Sequence, residues 1–393
     1  MPAFCRPFLA TILPILVSFA AQIAFAELPS AIKFRGDLQH SRQTFEKSKR
    51  GTVAFIGGSI TQMNGYRPMV MESLKRRFPD TEFTEINAGI SSTCSHTGAF
   101  RLGRDVLSKK PDLLFVEFAV NDDQDAAHSL EDGIRGMEGV IRQAREVPGL
   151  DLVMTHFVNP SMLKTVQDGG TPISIKAHES VAERYNVSTC NVAIELARRM
   201  TEGSMTWNVY GGTHPKPAGN RVAADLVDRV LDQAWEKPGS PTALALPEPL
   251  DETSFSNGRF RPQQQVQLGD GWRYEVPDWK SLPGSFRDQF AGKSLSVAVD
   301  PGAELHFKTG ATAVGLYVLA GPDAGAVECS IDGGPFQRVD LYHRYSKGLH
   351  YPRTVVLRSG MKPGEKTVTI RVSETKNDAS KGHAVRILQF AES

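Results

Sequence analysis

Four short stretches of this chain carry the residue types that acyl-transfer chemistry needs. The first is Gly57-Gly58-Ser59-Ile60-Thr61, where a serine directly follows two glycines. Glycine accepts backbone angles that other residues resist, so such a turn after a buried strand can present a hydroxyl at the carboxyl edge of a sheet. It is not the G-x-S-x-G elbow, because no glycine stands two residues after Ser59. The second and third stretches are Asn87-Ala88-Gly89-Ile90-Ser91 and Ala119-Val120-Asn121-Asp122-Asp123. A backbone N–H at Gly89 and a carboxamide at Asn121 are donors of the kind that stabilise a developing oxyanion. The fourth, Tyr210-Gly211-Gly212-Thr213-His214-Pro215, sets a histidine in a Gly/Pro-framed loop just before a helix. A neutral imidazole near Ser59 would be the general base that a serine nucleophile requires. Taken singly, each stretch also reads as an ordinary turn.

The elements that must position these residues follow from periodicity. From Gly51 to about Trp235 short apolar runs alternate with amphipathic stretches. Strands are expected at Thr52–Ile56, Glu82–Asn87, Asp112–Val120, Leu150–Val158 and Asn186–Val192. Three are nearly continuous apolar runs, as strands buried on both faces should be. Helical patterns cover Pro68–Phe78, Ser129–Glu146 and Ala218–Trp235. Strand and helix repeated in this way mean a parallel sheet with helices on both faces, whose chemistry sits at the carboxyl ends of the strands. Ser59, Gly89 and Asn121 each follow such an end.

The rest of the chain frames this region. Residues 1–26 combine Arg6, an apolar run from Phe8 to Ala21 and Ala24-Phe25-Ala26, the pattern of a cleaved signal peptide and hence of a secreted or periplasmic protein. After Trp235 a Pro-rich linker (237–258) leads to short alternating strands: Ser294–Val299, Glu304–Lys308, Ala313–Leu319, Ala326–Ile331, Arg353–Leu357, Thr367–Val372 and Ala384–Phe390. With turns such as Asp332-Gly333-Gly334 between them, they read as a jelly-roll-like β-sandwich over 259–393. The expected catalytic domain is 27–236. With 45 Lys and Arg against 44 Asp and Glu in 393 residues, the chain lacks the basic surface a nucleic-acid binder needs. Cys94, Cys190 and Cys329 remain after signal removal, too few for a disulfide-built fold, and a Cys94–Cys190 bridge stays open. His178-Glu179 is read as opening a helix without the second histidine of a zinc motif. Arg67 and Arg101 are read as helix surface or as lining the pocket, and Asp122 and Asp123 as solvated or as reaching the site.

The four stretches, in this order, resemble the blocks of the SGNH (GDSL-like) hydrolase superfamily over Ala31 to Trp235. The phrases GGSIT, NAGISSTCS and VEFAVND are similar to those of its secreted members. The resemblance implies a flavodoxin-like five-stranded parallel sheet with Ser59 as nucleophile and His214 as base. It implies an oxyanion hole from the N–H groups of Ser59 and Gly89 and the side chain of Asn121, with no metal or organic cofactor. Two positions depart from the pattern: Ala119 stands where a glycine is usual, and Gly211 where an aspartate three residues before the histidine is usual. Either another acid serves His214, or a backbone carbonyl near Val209 or Tyr210 accepts its N–H.

The expected activity is hydrolysis of small acyl esters, acetyl above all, on a carbohydrate. A sandwich partner with Trp272, Tyr274, Trp279, Tyr342, Tyr345 and Tyr351 offers aromatic faces for sugar rings, or a core for itself. The rival readings are a lipid or thioester acylhydrolase of the same fold, acyl transfer to a sugar, and a non-catalytic carbohydrate-binding protein. No nucleic-acid partner is expected, and no membrane partner once the signal is cleaved.

Overall fold

The computed structural model describes Met1, residues 28–242 and residues 245–393. Apart from Met1, the expected signal segment lies outside the described residues. The first domain runs through β1 (Ile32–Lys33), α1 (Gln39–Ser48), β2 (Arg50–Gly57), α2 (Ser59–Gln62), α3 (Tyr66–Arg77), β3 (Glu82–Gly89), α4 (Ser95–Asp105) and β4 (Leu113–Glu117). It continues with α5 (Leu130–Arg145), β5 (Asp151–His156), α6 (Pro160–Gln167), α7 (Ile173–Arg184), β6 (Ser188–Asn191), α8 (Val192–Thr201), α9 (Trp207–Tyr210) and α10 (Pro217–Trp235). Among the described residues the sheet order is β1-β6-β5-β4-β2-β3. The five expected strands are parallel to one another, and a short antiparallel edge strand, β1, is added on β6.

Every residue of β4 and β5 is buried, which is why both read as apolar runs rather than as alternations. The strand period of two still divides them. Val53, Phe55, Leu113, Phe115 and Val153 enter the core beneath α3, α8 and α10. Their neighbours Ala54, Ile56, Leu114, Val116 and Leu152 enter the core beneath α4 and α5. The strand order reverses at β2, which pairs with β3 on one side and β4 on the other. Open α/β sheets hold their ligands outside the carboxyl ends of the strands at this kind of reversal. Ser59 follows β2 there, and the stretch holding Asn121 follows β4.

The second domain comprises β7 (Arg259–Arg261), β8 (Gln267–Leu268), β9 (Arg273–Glu275), β10 (Leu295–Ala298), β11 (Glu304–Thr309) and β12 (Val314–Ala320). Next come β13 (Ala326–Ile331), β14 (Gln337–Asp340), β15 (Tyr351–Arg358), β16 (Lys366–Val372) and β17 (Val385–Glu392). All the strands expected here form. Two antiparallel sheets result, β15-β12-β17-β10-β9 with β7 on β17, and β14-β13-β16-β11-β8. Leu316, Val318 and Ile387 of the first meet Leu305, Phe307, Val327 and Ile370 of the second in a single core.

The Pro-rich segment between the domains is docked on the first. The carboxylate of Glu138, buried in α5, accepts the N–H groups of Leu250 and Asp251 and the hydroxyl of Tyr185. Arg142 donates to the Pro247 carbonyl at 2.7 Å, and Arg135 to Asp251 at 3.0 Å. Phe255 is fully buried against Phe100 and His96, and its carbonyl accepts from Gln143 at 3.0 Å. Replacing Phe255 by alanine removes this anchor and leaves a cavity, so the variant should lose about 3–5 kcal/mol of stability. Denaturant titration of the full chain measures it, and a loss under 1 kcal/mol would show that the anchor is dispensable.

Candidate active site

Ser59 is the first residue of α2, so its N–H is one of the leading donors for which a helix has no internal acceptor. Both preceding glycines are imposed by close approach. A Cβ on Gly57 would strike Thr61 and the Glu117 carbonyl, and one on Gly58 would strike the carboxamide of Asn121. The loop after α9 then brings the imidazole of His214 over the turn, with Nε2 2.8 Å from Ser59 Oγ. Ser59 is half-buried and His214 exposed, so the pair opens to solvent and to substrate. Serine, histidine and an adjacent Asn121 therefore stand together, as expected.

Asn121 does not close the third strand, however. β4 ends at Glu117, and residues 121–125 form a π-helical turn in which the Ala126 N–H reaches the Asn121 carbonyl at 2.9 Å. This turn is clamped from below by Asp122, which is fully buried rather than solvated. Asp122 accepts from the Ser95 N–H and from His178 Nε2, each at 2.8 Å. Burial works to raise this carboxyl, but His128 and His178 outweigh it and hold it well below the ordinary range. Asp123 accepts from Asn159 at 2.8 Å. His178 and Glu179 lie past the middle of α7, not at its start.

Besides the Ser59 N–H, the other two expected oxyanion donors differ in availability. Asn121 Nδ2 donates one proton to Asp125 Oδ2 at 2.6 Å and keeps a second for another acceptor. Gly89 has a single N–H, and Asn87 Oδ1 receives it at 3.0 Å. It is free for a ligand only when the Asn87 carboxamide turns aside. Gly89 has a second reason to lack a side chain: a Cβ there would lie 2.6 Å from Gln62 Cα and from the Thr61 carbonyl carbon.

Neither carbonyl considered for His214 takes its remaining N–H. The Tyr210 carbonyl accepts from the Lys216 N–H, and among the described residues Nδ1 has no hydrogen-bond partner. The carboxyl that bonds Asn121 is Asp125, which burial raises above the ordinary carboxylate range, against hydrogen bonds from Asn121 and Gln124 and the charge of Arg344.

Two arginines read as helix surface are buried and hold the site together. Arg101, in α4, donates to the Ala88 carbonyl at 2.6 Å and the Gly57 carbonyl at 3.0 Å, joining the ends of β3 and β2. Arg67, in α3, is buried in the same manner. It donates to the carbonyls of Thr61, Gln62 and Met63 at the end of α2 and pairs with Glu85. A run of free carbonyls attracts a cation, but nothing in the helical pattern marks which arginine supplies it. The Cys94–Cys190 bridge does not form. Both are free and buried, Cys190 in the core beneath α10 and Cys94 ahead of α4.

The second domain reaches the same π turn. His343 Nε2 donates to the Asp125 carbonyl at 2.8 Å, and the Arg344 guanidinium to the Gln124 carbonyl. Tyr351 donates to the Ser92 carbonyl at 3.1 Å. Of the aromatic residues read as sugar platforms, Trp272, Trp279 and Tyr351 are buried and Tyr342 packs against the sandwich core. Tyr274 and Tyr345 are exposed. Among the described residues no cluster of His, Cys, Asp and Glu is arranged to hold a metal ion, and no helix is long and apolar enough to cross a membrane.

Residues 55–222 match the GDSL-like Lipase/Acylhydrolase family. Among solved structures, a two-domain esterase active on acetylated mannans aligns with 92% of this chain and 97% of its own, at 21% identity and a TM-score of 0.74. The same description co-crystallised with mannopentaose aligns with 92% and 96%, at 21% identity and a TM-score of 0.73. Identity this low speaks for the shared two-domain fold. No curated protein matches the chain.

The steric role of Gly89 is open to test. Gly89→Ala forces a methyl group into backbone that has no flexible end to yield, and overpacking of this kind costs about 1–3 kcal/mol. A thermal melt of the variant should show that loss, and an unchanged midpoint would mean that α2 is not seated on β3 as described.

Proposed function

We propose that this chain, which carries a GDSL-like lipase/acylhydrolase domain, is a serine esterase that removes small acyl groups, acetyl above all, from carbohydrate. The observation that carries the reading is the 2.8 Å hydrogen bond between Ser59 Oγ and His214 Nε2. Ser59 Oγ attacks the ester carbonyl carbon while His214 Nε2 takes its proton. The carbonyl oxygen becomes an oxyanion facing the Ser59 N–H, the free proton of the Asn121 carboxamide and, once Asn87 releases it, the Gly89 N–H. The carbon–oxygen bond to the sugar then breaks, and His214 returns its proton to the leaving sugar oxygen. Water attacks the acyl carbon while His214 takes one of its protons; the bond to Ser59 Oγ then breaks, His214 passes that proton to Oγ, and the carboxylic acid leaves.

Asp125 fixes Asn121 by hydrogen bond. The carbohydrate substrate is supported by the two-domain esterase of the same fold, which is active on acetylated mannans. It is supported also by exposed Tyr345, one residue from the Arg344 that touches the catalytic turn.

Acetate release from acetylated polysaccharides tests the reading directly. Ser59→Ala should abolish release with its melting temperature unchanged, and should no longer be labelled by a serine-directed fluorophosphonate. Asn121→Ala should lower kcat by about a hundredfold or more, the usual loss for an oxyanion donor. Full activity in either variant would overturn the assignment. Asp125→Asn removes the charge that fixes the Asn121 carboxamide and should lower kcat in the same acetate-release assay. An unaltered kcat would remove Asp125 from the mechanism.

A further inference from the structure

The carboxyl group of Glu117 takes no part in the steps above, yet it lies directly beneath them. Glu117 ends β4 beside Gly57 of β2 and is fully buried. Its Oε2 accepts the Thr61 hydroxyl at 3.1 Å, and Thr61 Oγ1 lies 3.2 Å from the Tyr66 hydroxyl. The Gly58 N–H also lies close enough to this carboxyl to favour its charged form. One side chain thus holds the nucleophile turn on both sides of Ser59. Its other oxygen, Oε1, is buried without a partner, and so are the hydroxyls of Tyr210 and Thr155. Tyr210 ends α9, the helix that leads into the His214 loop, and stands within reach of the Glu117 charge. Thr155 follows Met154, the register partner of Val116, and so flanks Glu117 on β5. Two unpartnered hydroxyls thus lie near a carboxyl that keeps an unpartnered oxygen of its own.

We propose that Glu117 is a positioning residue for the Ser59–His214 pair, its carboxylate holding the nucleophile turn through Gly58 and Thr61 so that Ser59 Oγ meets the imidazole. The proposal rests on the esterase reading and adds a brace from inside the domain to a site whose histidine has no hydrogen-bonded acid. Burial drives Glu117 up to about 7, against its hydrogen bonds from Thr61 and Gly58, and Asp122 adds to the rise. The groups facing it are Thr61 from α2, Tyr66 from α3, Tyr210 from α9, Thr155 from β5 and Asp122 from the π turn, with Arg67 acting on Tyr66. Burial also pushes both tyrosines up, so near neutrality they keep their protons.

Activity and stability should then depend on pH with opposite signs. Ionised Glu117 accepts charge-assisted bonds from both points of the turn, so activity rises as pH climbs through about 7. The fold gains from the protonated form. This contribution is complete below the ordinary carboxylate range and is lost as pH rises through about 7. A side chain with a merely structural role would move activity and stability together.

The test is kcat, KM and melting temperature of the full chain on p-nitrophenyl acetate between about pH 5 and pH 9, for wild type, Glu117→Gln and Thr61→Val. Wild-type kcat should show an inflection near pH 7 that Glu117→Gln lacks, on top of any limb common to both. Glu117→Gln should lose roughly ten- to a hundredfold in kcat at high pH with little change in KM, as displaced reacting groups do. Its melting temperature should gain on the wild type more at pH 8 than at pH 5. Thr61→Val withdraws a donor from the carboxylate and should move the inflection to higher pH; it also serves if Glu117→Gln does not fold. A wild-type inflection retained in Glu117→Gln, or unmoved in Thr61→Val, overturns the proposal. Activity surviving in Ser59→Ala would instead sink the esterase reading, whereas an inactive Ser59→Ala with an unchanged Glu117→Gln profile sinks only the role given to Glu117.

Discussion

The site depends on a steric constraint: three backbone segments approach so closely that no side chain fits between them. Gly57 lies on Thr61 and the end of β4, Gly58 on the carboxamide of Asn121, and Gly89 on the backbone of α2. Methyl groups at these positions would force the strand ends and the nucleophile turn apart. Because they are absent, a hydroxyl, an imidazole and a carboxamide supplied by distant parts of the chain meet at the reversal point of the sheet. The glycines of the first two motifs are thus packing devices first, and Gly89 is a hydrogen-bond donor only second.

Contact of that kind must be held, and here buried charge does the holding. Arg101 bridges the carbonyls that end β2 and β3, Arg67 gathers those that end α2, and Asp122 fastens the π turn to α4 and α7. Hydrogen bonds to backbone carbonyls and N–H groups offset much of what burying these ions costs. Above them Ser59 is half-buried and His214 exposed.

The legible part of this architecture was the part written in local periodicity. Apolar runs such as Leu113–Val116 announced buried parallel strands, and alternation from Ser294 to Phe390 announced the sandwich. Ser59, Asn121 and His214 were legible because their residue types and neighbours are dictated by chemistry. What stayed hidden depends on partners far away in sequence. Arg67 and Arg101 look like any helix arginine until the carbonyls they cap are known. The π turn at 121–125 continued an apolar strand run and gave no signal of its own. Phe255 sat in a stretch rich in proline, where one aromatic carries no periodicity. Gly211 carries no carboxylate, and Asp125, which bonds Asn121, stands about ninety residues earlier than His214 with no local pattern connecting the two.

The docking of Phe255 between α4 and α5 bears on how the polypeptide matures. The slot that receives it is lined by Phe100 and His96, both present in the chain long before residue 255 leaves the ribosome. Domains generally fold as they emerge, so the nascent first domain carries an uncovered apolar slot until its own tail arrives to fill it. The boundary that matters to a growing chain therefore lies beyond the last helix, at the aromatic ring that closes the slot.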